Sequence, residues 1–213
     1  MLNSKGLTDE SKEAFLEAIA VLKRDGNIVE EVEFPMLKYV LPAYYLLTMA
    51  EASSNMSRYD GVRYGSRAED SHNLSDLYIN TRTEGFGNEV KRRIMLGTFV
   101  LSAGYYDAYY GKAQKIRKIV REKTLELLTL YDYILSPTTP GTAFKIGEKR
   151  ANPIEIYLED LFTVQPSMAG VPAISLPIKP KSGSLPLGLQ VIGNDFEENK
   201  LYSIGEYFLK LMN

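Results

Sequence analysis

The sequence has 213 residues, of which 45% are hydrophobic, and its 25 basic and 27 acidic side chains give a formal net charge of −2. That composition is typical of a globular protein, and the small net charge gives no general attraction to nucleic acids or anionic membranes. The chain contains no cysteine, which excludes disulfides and thiolate metal sites and favours a cytoplasmic location. No stretch reaches the roughly 18 apolar residues of a membrane-spanning helix, so we expect no membrane partner.

The first third of the chain is predicted to be mainly helical. Residues 9–24 have apolar side chains at helical spacing, which predicts an amphipathic helix: Phe15, Ala18, Ile19 and Leu22. Residues 27–35 are predicted to form a short strand that Pro35 closes. A long helix is expected over about 38–58, followed by a glycine-containing loop.

Three more helical signals follow. Asn73 is expected to cap a short helix that places Leu74, Leu77 and Tyr78 on one face, and Asn88 to cap the next helix. Residues 108–130 are predicted to continue as helix. Its inward residues are expected to be Ile116, Ile119 and Leu127, and its outward residues Lys112, Lys115, Lys118 and Arg121.

The last third alternates strands with helices. YDYILSPTTPGTAF contains a brief apolar strand, a helix is expected near 154–164, and GVPAISLPI and PLGLQVIG are predicted strands before a closing helix over 197–212. Helices followed by alternating strands and helices indicate an α/β protein with a mixed sheet. About four strands are visible, which is few for so many helices.

Common catalytic and metal sites find little support in the sequence. The only histidine, His72, lies in a polar loop, where a surface residue is more probable than a member of a Ser–His–Asp triad. One histidine and no cysteine leave only carboxylates as metal ligands, and the acidic clusters lack the spacing of a calcium loop. We therefore expect no metal site.

The segment KRRIMLGTFVLSAGYYDAYYGKA holds the most unusual charges. Its cations occupy the first turns of a helix, where the macrodipole disfavours them by roughly 0.3–1 kcal/mol each, so a compensating anion is expected. Arg93 shares a helical face with Gly97, Val100, Leu101 and Gly104, whereas Arg92 points elsewhere. The partner of Arg93 is either an internal Asp or Glu or a substrate carboxylate held in bidentate fashion. The tyrosines at 105, 106, 109 and 110 are expected to be core and helix-contact residues.

Five stretches resemble the C-terminal half of the amidase-signature family. They are EASSNMSRYDGVRYG, GFGNEVKRRIMLGTFVLSAGYYDAYY, YDYILSPTTPGTAF, YLEDLFTVQPSMAGVPAISLP and PLGLQVIG, and they cover nearly the whole chain in order. AGVPAISLP and GLQVIG are shared by amidases broadly. SRYDGVRYG and VKRRIMLGTFVLSAGYYDAYY are more particular to the family of glutamyl-tRNA(Gln) amidotransferase A subunits. The resemblance implies that residues 1–213 are the C-terminal portion of an amidase domain, with helices packed on a partial mixed β-sheet.

The resemblance also implies which residues serve the chemistry. The family hydrolyses amides with a Ser–Ser–Lys triad in a glycine- and serine-rich signature, and this chain contains no counterpart of that signature. No catalytic residue is therefore expected here, and the chain alone is expected to be inactive. The family's carboxylate-binding arginine falls on Arg93, its ammonium-binding acid on Asp160, and a pocket tyrosine on Tyr44, with the adjacent Tyr45 as the competing assignment. An Arg–Asp pair suits a zwitterionic amino acid such as glutamine.

The resemblance further implies partners outside the chain. The complete glutaminase is expected to release ammonia from glutamine and to bind the B and C subunits of the amidotransferase. One of these partners uses ATP and magnesium, and the B subunit contacts tRNA. This chain is expected to hold no cofactor itself. Two alternatives stay open: a portion of another amidase-signature hydrolase, and a non-catalytic docking or assembly module. Apolar surface that the missing half should cover also predicts self-association.

Overall fold

The computed structural model describes residues 6–147, 159–178 and 185–212. The chain divides into two compact units. The first contains residues 1–41 and 117–213, and the second contains residues 42–116.

A three-stranded sheet is the centre of the first unit. Its strands are β1 (Ile134–Pro137), β2 (Ala173–Ile178) and β3 (Leu187–Ile192), in the order β1-β3-β2. These strands lie in the three segments of the last third that were predicted to contain strands, and the predicted α/β class is confirmed. The predicted mixed sheet is wrong for the described residues, because both pairings are antiparallel.

The predicted strand over 27–35 is also wrong. Residues 27–34 have no regular secondary structure, and Ile28 is 91% exposed. A strand needs a partner strand to be stable. Among the described residues this segment pairs with no strand, although Val29 packs against the core of the first unit.

One face of the sheet is covered by α1 (Asp9–Arg24) and α7 (Glu198–Met212). The first and last predicted helices are thereby confirmed. Thr8 caps α1 by accepting a hydrogen bond from the backbone N–H of Ser11, and acidic residues occupy its first turn while basic residues occupy its last. Both arrangements stabilise a helix. The shared core contains Phe15, Leu22, Leu176, Ile178, Leu189, Val191, Leu201 and Phe208, and each large apolar side chain buried there contributes about 1.5–3 kcal/mol.

Helix α5 (Lys112–Leu130) buries a different stripe from the predicted one. Ile119 is 40% exposed and Ile116 and Leu127 are only partly buried, whereas Val120, Thr124 and Leu128 are buried. Thr124 is compatible with a buried position because its hydroxyl donates to the carbonyl of Val120 at 2.8 Å. Because a polar residue lies in the middle of the buried stripe, apolar periodicity alone does not predict that stripe.

Arg121, which was predicted to face outward, has a side chain that is 41% exposed but also contacts two other segments of the chain. Its Nη1 donates to the carbonyl of Ala169 at 2.6 Å, and its guanidinium pairs with Asp195. Ala169 is the last residue of α6 (Val164–Ala169), which ends at Gly170 in the left-handed conformation with φ of 70°. Of the helix predicted near 154–164, residues 154–158 lie outside the described residues, 159–163 form turns, and the helix begins at Val164.

The second unit contains most of α2 (Leu37–Met56), together with α3 (Leu74–Gly85), α4 (Asn88–Leu101) and a π-helical segment (Tyr106–Gly111) before α5. The predicted cap of α3 is confirmed, since the side chain of Asn73 accepts from the backbone N–H of Asp76 at 2.9 Å. Of the face predicted for α3, only Leu77 is buried, while Leu74 is 62% and Tyr78 38% exposed.

The predicted core position of the tyrosines is wrong for three of them, but the predicted helix contact is confirmed for Tyr105 and Tyr109, which pack on Phe99 of α4. Tyr105, Tyr106 and Tyr109 are between 42% and 46% exposed. The rings of Tyr105 and Tyr109 instead pack on each other and on Phe99, with 4.2 Å between the ring centroids of Phe99 and Tyr105 and 5.9 Å between those of Tyr105 and Tyr109. We call Phe99 and these two tyrosines the aromatic cluster. It lies on the surface of the second unit.

Candidate functional site

The helix that carries Arg92 and Arg93 begins without a side-chain cap. Gly87 occupies the cap position, and Asn88 is the first helical residue, so the prediction that Asn88 caps α4 is wrong. Glycine is about as favourable as threonine at this position. The acidic residue of the first turn is Glu89, which compensates for the cations that follow it.

Glu89 is the partner of both arginines. Its Oε2 lies 3.0 Å from Nη1 of Arg92, and its Oε1 accepts a hydrogen bond from Nε of Arg93 at 3.0 Å. Of the two alternatives for Arg93, the unliganded chain therefore shows the internal acid, one helical turn earlier. The Arg93 side chain is 43% exposed and that of Arg92 56%, so both guanidinium groups also reach solvent.

Arg93 lies on the face of α4 that packs closely against α2. Gly97, one turn further on, is buried, and a Cβ there would lie 2.0 Å from the carbonyl oxygen of Met49. Ser53 and Thr98 share a hydroxyl hydrogen bond of 2.9 Å across the same contact. Of the residues predicted to share a face with Arg93, Gly97 and Val100 are buried, whereas Leu101 is 36% exposed. Gly104 lies beyond the end of the helix.

Tyr44 and Tyr45 belong to the surroundings of Arg93. The hydrogen bond that Arg93 donates to Glu89 is the main cause that raises the pKa of Arg93. Burial opposes this increase, and the phenol groups of Tyr45 and Tyr44 add smaller increases. Their rings meet edge to face with 5.3 Å between centroids. The second unit thus brings together an arginine and two phenols, and since Tyr45 has the larger influence, the choice between Tyr44 and Tyr45 stays open.

Asp160 belongs to the first unit, in the turn that precedes α6. Its carbonyl accepts hydrogen bonds from the backbone N–H of Val164 at 3.0 Å and from the hydroxyl of Thr163 at 3.2 Å. These bonds fix the backbone at Asp160, and its side chain is at the surface. Arg93 and Asp160 lie in different units, and their joint recognition of one ligand stays a prediction.

Other site types find no support among the described residues. His72 is exposed, as expected for a surface loop. Within residues 6–147, 159–178 and 185–212, no group of three or more His, Cys, Asp or Glu side chains could hold a metal ion. In the same ranges, no helix is long and apolar enough to cross a membrane.

Comparison with known proteins places this geometry in a family. The profile of the family described as Amidase matches residues 2–202. The chain belongs to the amidase family. The arginine and tyrosines near α4 and Asp160 before α6 therefore lie within the matched amidase region.

Curated relatives narrow the comparison. The chain is 50% identical over 208 residues to the A subunit of the glutamyl-tRNA(Gln) amidotransferase of Shouchella clausii, covering 98% of this chain and 43% of the relative. It is 52% identical over 204 residues to the same subunit of Bacillus pumilus, covering 96% of this chain and 42% of the relative. The chain thus spans about two fifths of the length of the curated relatives it matches.

Solved structures support the same fold. The crystal structure of the glutamyl-tRNA(Gln) amidotransferase A subunit from Thermotoga maritima is 41% identical, with a TM-score of 0.70 over 96% of this chain and 39% of that one. A structure described as an amidase has a TM-score of 0.75 over 98% of this chain and 43% of that one at 24% identity, which shows a common fold alone.

Sequence reasoning missed two features of this amidase portion. Arg121 is hidden among the basic residues of α5, where nothing distinguishes it from its neighbours. Gln190 is buried inside β3 and donates to Ser136 Oγ and to the carbonyl of Phe162, each at 3.0 Å. A glutamine inside the apolar strand GLQVIG was the available signal, because a buried amide must be hydrogen-bonded.

Proposed function

We propose that this chain is part of the glutamine-hydrolysing A subunit of a glutamyl-tRNA(Gln) amidotransferase and forms part of its glutamine pocket. The similarity to such A subunits, at 50–52% identity over 96–98% of the chain, carries the proposal. The surroundings of Arg93 support it, since a half-exposed guanidinium beside two phenols suits a carboxylate ligand. In the proposed pocket, Arg93 takes the α-carboxylate of glutamine, Asp160 its α-ammonium group, and Tyr44 lies alongside.

Glu89 explains how Arg93 is held before substrate arrives. The carboxylate of Glu89 already accepts from Arg93 Nε, which leaves the two terminal nitrogens of the guanidinium for a substrate carboxylate. A planar guanidinium can serve both partners because it presents five N–H donors. Glu89 thus acts as a positioning residue for the arginine.

The complete enzyme is proposed to be an ATP-dependent ligase of the cytoplasm that converts glutamyl-tRNA(Gln) to glutaminyl-tRNA(Gln). The glutaminase supplies ammonia and binds the B and C subunits. One of these partners uses ATP and magnesium, and tRNA is held through the B subunit. In the proposal, the Ser–Ser–Lys triad lies in a portion of the glutaminase that has no counterpart in this sequence. This chain alone is therefore proposed to be inactive.

The test joins this chain to the remaining portion of a Bacillus glutamyl-tRNA(Gln) amidotransferase A subunit and measures glutaminase activity. Arg93→Ala should lower kcat/KM for glutamine by about tenfold to a hundredfold, because one charge-assisted hydrogen bond contributes about 1.5–3 kcal/mol. Asp160→Asn should also lower kcat/KM for glutamine. Arg92→Ala is the matched control, because Arg92 shares Glu89 but faces away from Gly97.

The outcomes separate the alternatives. An undiminished kcat/KM in Arg93→Ala would sink the pocket assignment. Equal hydrolysis of glutamine and of a simple neutral amide would favour another amidase-signature hydrolase. Glutaminase activity that returns when the remaining portion is added as a separate chain would show that this portion docks as a module.

A further inference from the structure

A single glutamine interrupts the apolar strand β3. Leu189 and Val191 belong to the core that the sheet shares with α1 and α7, and Gln190 between them is 4% exposed. Because successive side chains of a strand project to opposite faces, Gln190 lies on the other face of the sheet. A buried amide costs free energy unless it is hydrogen-bonded, and an apolar residue would avoid that cost. The presence of the glutamine is therefore explained by what its amide binds.

The amide of Gln190 connects two separate segments of the first unit. Its Nε2 donates to Oγ of Ser136 and to the carbonyl of Phe162, each at 3.0 Å. Ser136 on β1 is paired in register with Gln190, so the two side chains share one face of the sheet. Both hydrogen atoms of the amide nitrogen are used, which holds the amide in one orientation. The sheet thus presents a fixed N–H donor to the backbone at Phe162.

Phe162 belongs to the turn that carries Asp160. Residues 159–163 form turns, and α6 begins at Val164. Within this turn the carbonyl of Asp160 accepts from the backbone N–H of Val164 at 3.0 Å and from the hydroxyl of Thr163 at 3.2 Å. The side chain of Phe162 is 1% exposed, whereas Asp160 is at the surface. A buried residue that is bonded to the sheet therefore lies two positions after a surface carboxylate, in the same short turn.

Packing between α6 and the sheet is incomplete beside this hydrogen bond. A cavity of about 310 Å³ lies between them, with Thr163 and Ser167 on one side and Ser175 and Gln190 on the other. A gap of this size removes some of the close contacts that otherwise fix one element against another. The position of the turn therefore depends more strongly on the bond from Gln190 to the carbonyl of Phe162.

The opposite end of α6 is held by separate hydrogen bonds. Nη1 of Arg121 donates to the carbonyl of Ala169 at 2.6 Å, and Nε of Arg117 donates to the carbonyl of Met168 at 3.4 Å. Neither arginine contacts the turn through these bonds. Loss of the amide of Gln190 is therefore expected to release the turn before α6 and to leave the end of α6 in place.

We propose that Gln190 is a positioning residue for Asp160. Its amide fixes the carbonyl of Phe162, and the short turn transmits this position to the carboxylate two residues earlier. The functional part of this inference rests on the proposed function, in which Asp160 binds the α-ammonium group of glutamine. Gln190 then contributes to glutamine binding by acting through Asp160.

Hydrogen exchange on the 213-residue chain tests the structural part. The amide hydrogen of Val164, which is bonded to the carbonyl of Asp160, reports on the turn. Gln190→Met removes the amide at similar side-chain length and should speed this exchange roughly two- to tenfold, the range expected for one neutral hydrogen bond. The amide hydrogen of Gly170, bonded to the carbonyl of Pro166 at the end of α6, should keep its rate. Unchanged exchange at Val164, or an equal increase at Gly170, would overturn the proposal.

The joined glutaminase described above tests the functional part with two substrates. 4-Carbamoylbutanoate is glutamine without its α-ammonium group. Gln190→Met should raise KM for glutamine about two- to tenfold and change kcat by less than about twofold, because the ammonium contact is remote from the reacting amide. KM for 4-carbamoylbutanoate should stay constant. A smaller fraction of folded enzyme would instead lower the apparent kcat for both substrates with KM unaltered. That result, or equal increases in both KM values, would overturn the proposal.

Ser136→Ala is a second and milder variant. It leaves Nε2 of Gln190 with one partner, so the amide is free to rotate away from Phe162, and smaller changes in the same directions are expected. If Gln190→Met does not fold, unchanged exchange at Val164 in Ser136→Ala contradicts the proposal by itself. Gln114→Met is the matched control, because Gln114 is exposed on α5 and should alter neither the exchange nor KM.

Asp160→Asn distinguishes the failure of this inference from that of the proposed function. If Asp160→Asn raises KM for glutamine and Gln190→Met does not, the proposed function stands and the positioning role fails. If Asp160→Asn leaves KM unchanged while Gln190→Met speeds exchange at Val164, Gln190 holds the turn and the ligand assigned to Asp160 is wrong. In the double variant, Gln190→Met should add nothing to the effect of Asp160→Asn, because it acts through that carboxylate.

Discussion

Arg121 donates two parallel hydrogen bonds to Asp195, from Nη1 to Oδ1 at 3.3 Å and from Nη2 to Oδ2 at 2.5 Å. The same guanidinium donates to the carbonyl of Ala169 at 2.6 Å. Arg117, one turn earlier, donates to the carbonyl of Met168 at 3.4 Å. Helix α5 thereby fixes both the end of α6 and the loop after β3.

We predict that Arg121→Ala lowers the free energy of unfolding by about 1–3 kcal/mol. The loss comes from charge-assisted hydrogen bonds, and it lies below that of a fully buried pair because the two side chains are 41% and 28% exposed and solvent screens them. Lys118→Ala on the same helix is the control. Its pair with Glu122 is 3.7 Å apart with side chains 77% and 61% exposed, so a change within about 0.5 kcal/mol is expected. Equal losses in urea unfolding of the two variants would contradict a special role for Arg121.

Gly97 provides a second prediction, about the close contact of α4 with α2. In Gly97→Ala the new Cβ would lie 2.0 Å from the carbonyl oxygen of Met49 and 2.6 Å from the Cβ of Ser53. Because a backbone atom cannot rotate away, the helices must separate, which costs about 1–3 kcal/mol and exceeds the gain of up to about 1 kcal/mol in helix propensity. We therefore expect a lower urea midpoint. Gly85→Ala is the control, since its Cβ would meet only the Ser66 hydroxyl at 3.6 Å, and a similar loss there would refute the steric explanation.

Elements whose stabilising features are local were predictable from the sequence. Helix α1 has a capping threonine and an apolar stripe in the sequence itself, and Asn73 begins α3 as predicted. Strands β2 and β3 coincide with apolar segments of the sequence. These elements owe their identity to side chains a few residues apart, so one sequence contains the necessary information.

Features that depend on distant partners were not predictable. The segment 27–35 has the composition of a strand, but among the described residues it pairs with none of the three strands of the sheet. Arg121 finds Asp195 across 74 residues, a contact no local pattern encodes. Within the candidate site, the face of Arg93 followed from helical periodicity. The role of Asp160 came only from family resemblance, and the influence of Tyr45 on Arg93 needed the structure.

Gln165 gives a third prediction, because it is buried without a hydrogen-bond partner. Its side chain is 1% exposed, and in the part of the chain that the structure describes neither Nε2 nor Oε1 has a partner. An unsatisfied buried polar group costs about 1–3 kcal/mol. We expect Gln165→Met, of similar size and shape, to raise the free energy of unfolding by about that amount. Gln114→Met, at an exposed position of α5, should change it by less than about 0.5 kcal/mol.

A loss of stability in Gln165→Met would contradict this reasoning. It would mean that the amide is hydrogen-bonded in solution, and that the interaction outweighs the apolar gain. The urea m-value should stay constant in both glutamine variants, because neither changes the surface exposed on unfolding.

The exposed apolar side chains of α4 lead to the last prediction. Met95 is 73% exposed, Leu96 41% and Phe99 45%, and the aromatic cluster continues this surface. Adjacent apolar side chains on one surface favour association, so we expect the isolated chain to self-associate as its concentration rises. Met95→Glu should weaken this association, because a carboxylate buried in an apolar contact must be desolvated. Light scattering after size exclusion, over a range of loading concentrations, measures the change.

Ser203→Glu separates the effect of charge from that of position. It adds the same single negative charge as Met95→Glu but lies on α7 of the first unit and not on α4. If general repulsion between chains were responsible, both variants would weaken association equally. If the surface of α4 is responsible, only Met95→Glu shifts the average mass toward the 24.0 kDa of one chain. A clean monomer of the unmodified chain at every concentration would show that these apolar side chains do not drive association.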